Sequence, residues 1–171
     1  MAAIDPSDLN GDVSAILLAH SRSADEELLA ACRPLTDEQL DRPFEMGPGT
    51  LRKLLMHNLG AVRIWADIYR GGETRPWLPD EGMLDVPGME RTATALHDEW
   101  VELASRFDLG EMIERTFDGT TRRHTRAHII AHVTTHSVHH RAQAINMLRQ
   151  MGVEQRPTGS VLSWVCEHLK P

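Results

Sequence analysis

The sequence predicts an all-helical fold, a bundle of four main helices with short accessory helices. Apolar residues recur at spacings of three and four along four long segments, which is typical of amphipathic helices. Alternation of apolar and polar residues, the pattern of a half-buried strand, is nearly absent. The 171 residues are 41% hydrophobic and 25% charged, a composition that suits one globular domain over residues 1–171.

The first half of the chain predicts two long helices joined by a short turn. The first helix covers about Asp8–Cys32, and a capping-box pattern at Thr36–Gln39 predicts one further helical turn. Thr50 is placed to cap the second long helix, whose apolar residues repeat with a helical period over Leu51–Tyr69. The pair Gly71-Gly72 ends this segment, because glycine readily adopts the left-handed conformation that closes a helix.

The second half predicts two more long helices after an irregular connection. Prolines and glycines interrupt the segment Glu73–Gly88, which is therefore predicted to be an irregular connection. A connection of this length usually has a function or crosses the bundle. A third helix is expected over Met89–Phe107, followed by turns in which Arg115–Phe117 is briefly extended. The fourth and longest helix is expected over Arg123–Met151, and a short packing helix over Val161–Leu169.

Charge and cysteine usage argue against several classes of function. The net charge of −7 disfavours a nucleic acid or an anionic membrane surface as the main partner. Cys32 and Cys166 form no C-x-x-C pair, so we expect reduced thiols and neither a redox motif nor a cysteine zinc site. No secretory signal and no apolar run long enough for a membrane span is evident, which favours a cytoplasmic protein.

Histidines are the compositional anomaly of this chain. Six of its ten histidines fall between residues 124 and 140. Residues four apart share a helix face, so His136 and His140 point the same way, within the apolar stripe of the fourth helix. On the second helix, His57 shares a face with apolar residues such as Ile64. The pattern therefore predicts three imidazoles that point into the core.

Buried imidazoles need partners, because an unpaired buried polar group costs about 1–3 kcal/mol. A divalent transition metal would satisfy His57, His136 and His140 together, and three protein ligands leave a position for water or substrate, as in catalytic sites. The alternative is that each histidine is hydrogen-bonded in the core, without a metal. His132 is a weaker competitor as a ligand, while His139 suits a supporting or surface hydrogen bond.

These motifs resemble the DinB/YfiT-like family of helical metalloproteins. The likeness rests on Leu54-Leu55-Met56-His57 with Trp65 eight residues later, and on the H-x-x-x-H-R-A-Q pattern from His136 to Gln143. The family's usual pattern has glycine where this chain has Ala142, a change between two small residues. The resemblance implies up-down-down-up connectivity, a homodimer, and a divalent ion such as zinc, nickel or iron held by the three matching histidines.

The resemblance also implies the chemistry of the site. Members with assigned activity are S-transferases that use bacillithiol, mycothiol or glutathione, and an isomerase that uses mycothiol. We therefore expect activation of a low-molecular-weight thiol for transfer to a small electrophilic substrate. The alternatives are a metal-dependent hydrolase and a non-catalytic metal-binding protein of a stress response.

Two further residues are candidates at this site. Gln143 lies on the face of His136, three residues after His140, where it could act in catalysis by orienting a water or the substrate. The alternative for Gln143 is a buried amide that holds neighbouring backbone. Trp77, in the long connection, is the aromatic residue expected to line the mouth of a pocket. Arg141 points away from the site, toward packing or a salt bridge.

Overall fold

Four long helices form the body of the protein. The computed structural model describes residues 11–117 and 119–168. The elements in chain order are α1 (Val13–Cys32), α2 (Asp37–Leu40), α3 (Leu51–Arg70), a 3₁₀ helix (Leu78–Glu81), α4 (Val86–Arg106), β1 (Met112–Phe117), β2 (Thr120–Thr125), α5 (Arg126–Gln150) and α6 (Val161–His168). The predicted helix start at Asp8 and helix end at Leu169 lie outside the described residues.

Side-chain caps fix where the helices begin. Thr36 and Gln39 form the predicted capping box of α2, each side chain hydrogen-bonded to the backbone of the other. The hydroxyl of Thr50 accepts from the backbone N–H of Lys53 at the start of α3, as expected. Gly71 ends α3 with a φ of 83°, a left-handed conformation that glycine adopts without steric cost.

Helices α3 and α4 run parallel, although they follow one another in the chain. Arg52, near the start of α3, donates to the carbonyl of Leu84 just before α4. Tyr69, near the end of α3, contacts Phe107 just after α4. The connection between the two helices must therefore return along the length of α3 before α4 begins.

Helix α1 runs antiparallel to α4, as two ion pairs show. Arg22 of α1 pairs with Asp98 of α4. Arg33, just past the end of α1, pairs with Glu90, which comes earlier in α4.

Helix α5 runs antiparallel to α3. Arg126, at the start of α5, lies over the ring of Tyr69 near the end of α3. Farther along α5, His140 contacts His57 near the start of α3. Together with the other helix pairs, this gives the up-down-down-up bundle that the sequence resemblance implied.

The core of the bundle is apolar and contains a buried ionic network. Trp100 and Tyr69 are among its largest fully buried side chains. Asp25 of α1 binds Arg141 of α5 through an Nη1–Oδ1 distance of 3.1 Å and His97 of α4 through an Nε2–Oδ2 distance of 3.0 Å. Arg141 thus makes a buried salt bridge, one of the two roles expected for it away from the histidines. Within residues 11–117 and 119–168, every helix is too short or too polar to span a lipid bilayer.

A β-hairpin corrects the prediction before the last long helix. Strands β1 and β2 pair antiparallel, Phe117 opposite Thr120 and Met112 opposite Thr125. The predicted helix start at Arg123 was wrong, because residues 123–125 belong to β2 and Thr125 caps α5. Only the brief extension at 115–117 had been expected.

Helix α4 also begins earlier than expected, at Val86 rather than Met89. Pro87 lies in its first turn, where the missing N–H of proline costs no hydrogen bond. The Asp85 side chain accepts from the backbone N–H of Gly88 and caps the helix.

Candidate metal centre

Three histidines from two antiparallel helices converge in the bundle. His57 comes from the second turn of α3, and His136 and His140 come from the middle of α5. One ring nitrogen from each of the three lies within 4.8 Å of the other two. Among the described residues, this trio forms a group that could hold a metal ion, and it contains the three ligands predicted from the sequence.

The two histidines of α5 stand at a distance that suits shared ligation. Their Nε2 atoms are 3.2 Å apart. Imidazole nitrogens bind zinc at roughly 2.0–2.1 Å, which places two of them about 3.3 Å apart in a tetrahedral arrangement. The spacing of the pair therefore fits a bound divalent ion without movement of the helix.

A hydrogen bond to Gln143 sets the tautomer of His140. The Nδ1 atom of His140 lies 3.0 Å from Oε1 of Gln143. An amide oxygen only accepts, so Nδ1 carries the proton and the lone pair of Nε2 faces His136. This is the tautomer that a metal ligand needs. The side chain predicted to orient water or substrate thus contacts a histidine of the trio.

Burial keeps the trio in the form that binds metals. Desolvation lowers the pKa of His57 and of His140, although the hydrogen bond with Gln143 acts in the opposite direction at His140. Burial, followed by the neighbouring histidines, lowers the pKa of His136 to about 4. All three imidazoles are therefore neutral near pH 7, and a metal would displace no proton from a charged ring.

The trio leaves one buried polar atom without a partner. Nδ1 of His136 is buried and has no hydrogen bond within the part of the chain that the structure describes. Independently of that atom, the donor set of three neutral, closely spaced imidazoles fits a divalent transition ion.

His132 and His139 lie beside the trio but outside it. The ring of His132 packs against Trp65 at a centroid distance of 4.4 Å and lies 5.8 Å from His136. The ring of His139 lies 5.1 Å from His140. Both side chains are exposed. The metal-capable group found among the described residues does not include His132.

Comparison with known proteins assigns this chain to a protein family. The model of the DinB family matches residues 10–164. The chain belongs to the DinB family. A DinB-like protein from Bacillus cereus ATCC 10987 has the same fold, with a TM-score of 0.66 at 20% identity over 85% of this chain and 97% of its own.

A second solved structure also has the DinB fold. A DinB-like protein from Bacillus subtilis aligns with a TM-score of 0.62 at 15% identity, over 84% of this chain and 97% of its own. At these identities the likeness concerns the fold. A search of curated proteins finds no match.

In this DinB chain, Trp77 stands beside the trio. Its predicted place at the mouth of a pocket stays a prediction. Its ring meets the ring of His57 edge to face at a centroid distance of 5.4 Å. The indole is partly exposed. Trp77 therefore packs directly against the histidine that α3 contributes to the trio.

Two glycines at the site escaped the sequence analysis. A Cβ at Gly60 would stand 2.9 Å from Cζ3 of Trp77, so only glycine admits the indole this close to α3. A Cβ at Gly47 would stand 3.1 Å from Oε1 of Gln143, and its φ of 51° also favours glycine. An isolated glycine inside a helical pattern, such as Gly60, costs stability relative to alanine, which is a sequence signal of a packing or functional reason.

Proposed function

We propose that this DinB protein is a divalent-metal-dependent enzyme that transfers a low-molecular-weight thiol to a small electrophilic substrate. The observation that carries the proposal is the convergence of His57, His136 and His140, one nitrogen from each within 4.8 Å of the others. Three protein ligands are typical of catalytic metal sites, which keep a position for a reactant, whereas structural zinc sites use four. Zinc, nickel and iron all accept imidazole ligands.

In this proposal, the three histidines and the side chains around them have different roles. A divalent ion held by the three imidazoles would supply Lewis acidity, which favours the thiolate form of a bound thiol. Gln143 holds His140 in the tautomer that presents Nε2 to the site. Trp77 offers an apolar wall against which the substrate can rest.

The nucleophilic thiol is proposed to come from a co-substrate. Cys32 is buried, and burial together with the nearby Glu90 raises the pKa of its thiol to about 12. A buried thiol with so high a pKa is a poor nucleophile near neutral pH. Cys32 therefore offers no thiolate for the reaction, and an external thiol fills that role in the proposal.

Assays with a thiol panel test the proposal. Protein purified without a polyhistidine tag is loaded with Zn²⁺, Ni²⁺ or Fe²⁺ and mixed with bacillithiol, mycothiol or glutathione and chlorodinitrobenzene. We expect metal-dependent displacement of chloride by the thiol sulfur, which yields the thioether, a chloride ion and the proton released from the thiol. His136→Ala should lose this activity, whereas His132→Ala, altered at an exposed histidine outside the trio, should keep it.

Other outcomes would favour the alternatives. Turnover without any thiol, with a water adduct as product, would identify a metal-dependent hydrolase and reject thiol transfer. Metal binding without turnover across the whole panel would favour a non-catalytic metal-binding protein.

A further inference from the structure

The connection between α3 and α4 lies against α3 beside the trio. We call residues 75–81 the strap; they include the 3₁₀ helix Leu78–Glu81. The guanidinium of Arg63, on α3, donates to the carboxylate of Glu81 at 2.8 Å and to the carbonyl of Pro76. Asp67, also on α3, accepts from the backbone N–H of Arg75 at 2.8 Å. Side chains of α3 thus hold the strap at both ends.

The fold dictates this course of the strap. Parallel helices α3 and α4 require the chain to return along α3, whose 20 residues span about 30 Å. The returning chain passes the turn of α3 that follows His57, where Gly60 lacks a side chain. Trp77 and Pro79 pack into that gap, because Cη2 of Trp77 and Cδ of Pro79 would lie 3.0 and 3.2 Å from a Cβ at Gly60.

The three histidines differ in what orients them. His140 is fixed by its hydrogen bond to Gln143. Among residues 11–117 and 119–168, the His57 ring makes no hydrogen bond, and its contacts there are those of ring packing. Its ring contacts are with Trp77 at 5.4 Å, on the strap, and with the two histidines of α5.

We propose that Trp77 is a positioning residue of the metal centre: seated over Gly60, its indole holds His57 in the orientation that faces the histidine pair of α5. This role rests on the metal site of the proposed function. It adds a determinant of metal affinity that lies on the strap rather than on the two helices that carry the ligands. Arg63 and Asp67 of α3 hold the strap, and with it Trp77, in place through their hydrogen bonds to Glu81 and Arg75.

Metal affinity, measured without reference to turnover, tests this role. Zinc affinity is measured by competition with a chromophoric chelator for the wild type, Trp77→Ala, Trp77→Phe and Gly60→Ala. We expect Trp77→Ala and Gly60→Ala to bind zinc about tenfold or more weakly, as is usual when a group that orients a metal ligand is lost. Trp77→Phe keeps a ring edge against His57 and should stay within about threefold of the wild type.

Trp65→Ala is the matched control, because Trp65 packs on His132 rather than on a histidine of the trio. It should bind zinc like the wild type. The absorption spectrum of bound Co²⁺ provides a second readout, because it reports ligand geometry and should change in Gly60→Ala but not in Trp65→Ala. Circular dichroism and Tm establish that each variant is folded.

The possible results distinguish failure of the positioning role of Trp77 from failure of the proposed metal-dependent function. Wild-type zinc affinity and an unchanged Co²⁺ spectrum in folded Trp77→Ala or Gly60→Ala would overturn the positioning role and leave the metal site standing. If Trp77→Ala does not fold, folded Gly60→Ala decides the matter by the same criteria. A wild-type protein that binds no zinc, cobalt, nickel or iron would overturn the proposed function and this role together.

Discussion

At the scale of single residues, Gln143 occupies the most informative position. Its Oε1 atom accepts from Nδ1 of His140 at 3.0 Å, while Gly47 leaves room for the amide on its other side. An acceptor behind a ligating imidazole fixes its tautomer and raises its basicity. The amide is therefore placed to act through His140.

Substitution of Gln143 distinguishes this role from direct catalysis. Gln143→Ala should weaken zinc binding by about tenfold, because His140 loses the partner that fixes its tautomer. Gln143→Glu keeps an acceptor and should retain zinc affinity. Isothermal titration calorimetry measures both. Unchanged zinc affinity in Gln143→Ala, with turnover lost, would instead support the predicted role in orienting water or substrate.

The three histidines of the trio were predictable from the sequence, but the contacts that orient their rings were not. Helical geometry alone places His136 and His140 on one face, and the apolar pattern of α3 directs His57 toward the same core. The partner of Gln143 depends on side-chain torsions, which residue spacing does not specify. The contact of Trp77 with His57 depends on the path of an irregular connection and on the gap at Gly60.

At the scale of elements, a buried ionic network joins three of the four long helices. Asp25 of α1 pairs with Arg141 of α5 and with His97 of α4. Burial by itself would raise the pKa of Asp25, but the charge of Arg141 and the hydrogen bond from His97 lower it. The carboxylate therefore stays ionised inside the bundle and depends on its partners.

Removal of Arg141 should strongly destabilise the bundle. Arg141→Met leaves a buried carboxylate without its cation, which typically costs about 3–5 kcal/mol of unfolding free energy. Arg33→Met, which breaks the exposed pair with Glu90, should cost less than about 1 kcal/mol. Chemical denaturation measures both losses. Equal stability of the two variants would contradict a structural role for the network.

The helices were predictable as elements because their apolar periods and caps are local signals. The hairpin was missed because its strands are polar and mostly exposed, so they lack the apolar alternation that indicates a strand. The dipeptide Asp118-Gly119 between two runs with β-branched residues is a turn signal that could have indicated it. Residues 123–125 were assigned to the helix because the histidine-rich pattern was extended back across its cap at Thr125.

At the scale of the whole molecule, the topology explains where the site lies. The antiparallel packing of α3 against α5 brings one histidine of α3 to the pair on α5. The parallel packing of α3 and α4 forces the strap back along α3 and carries Trp77 to the same place. The long connection in the sequence permitted such a crossover, but the choice among topologies came from the resemblance and not from helix patterns.

The metal content of the protein tests this account most directly. Inductively coupled plasma mass spectrometry of untagged protein should find about one divalent transition ion per chain, as expected for one three-histidine site. His136→Ala and His57→Ala should lose the ion, and His132→Ala should retain it. Full metal content in folded His136→Ala, or a wild type that holds no ion after incubation with zinc, nickel or iron, would contradict the account.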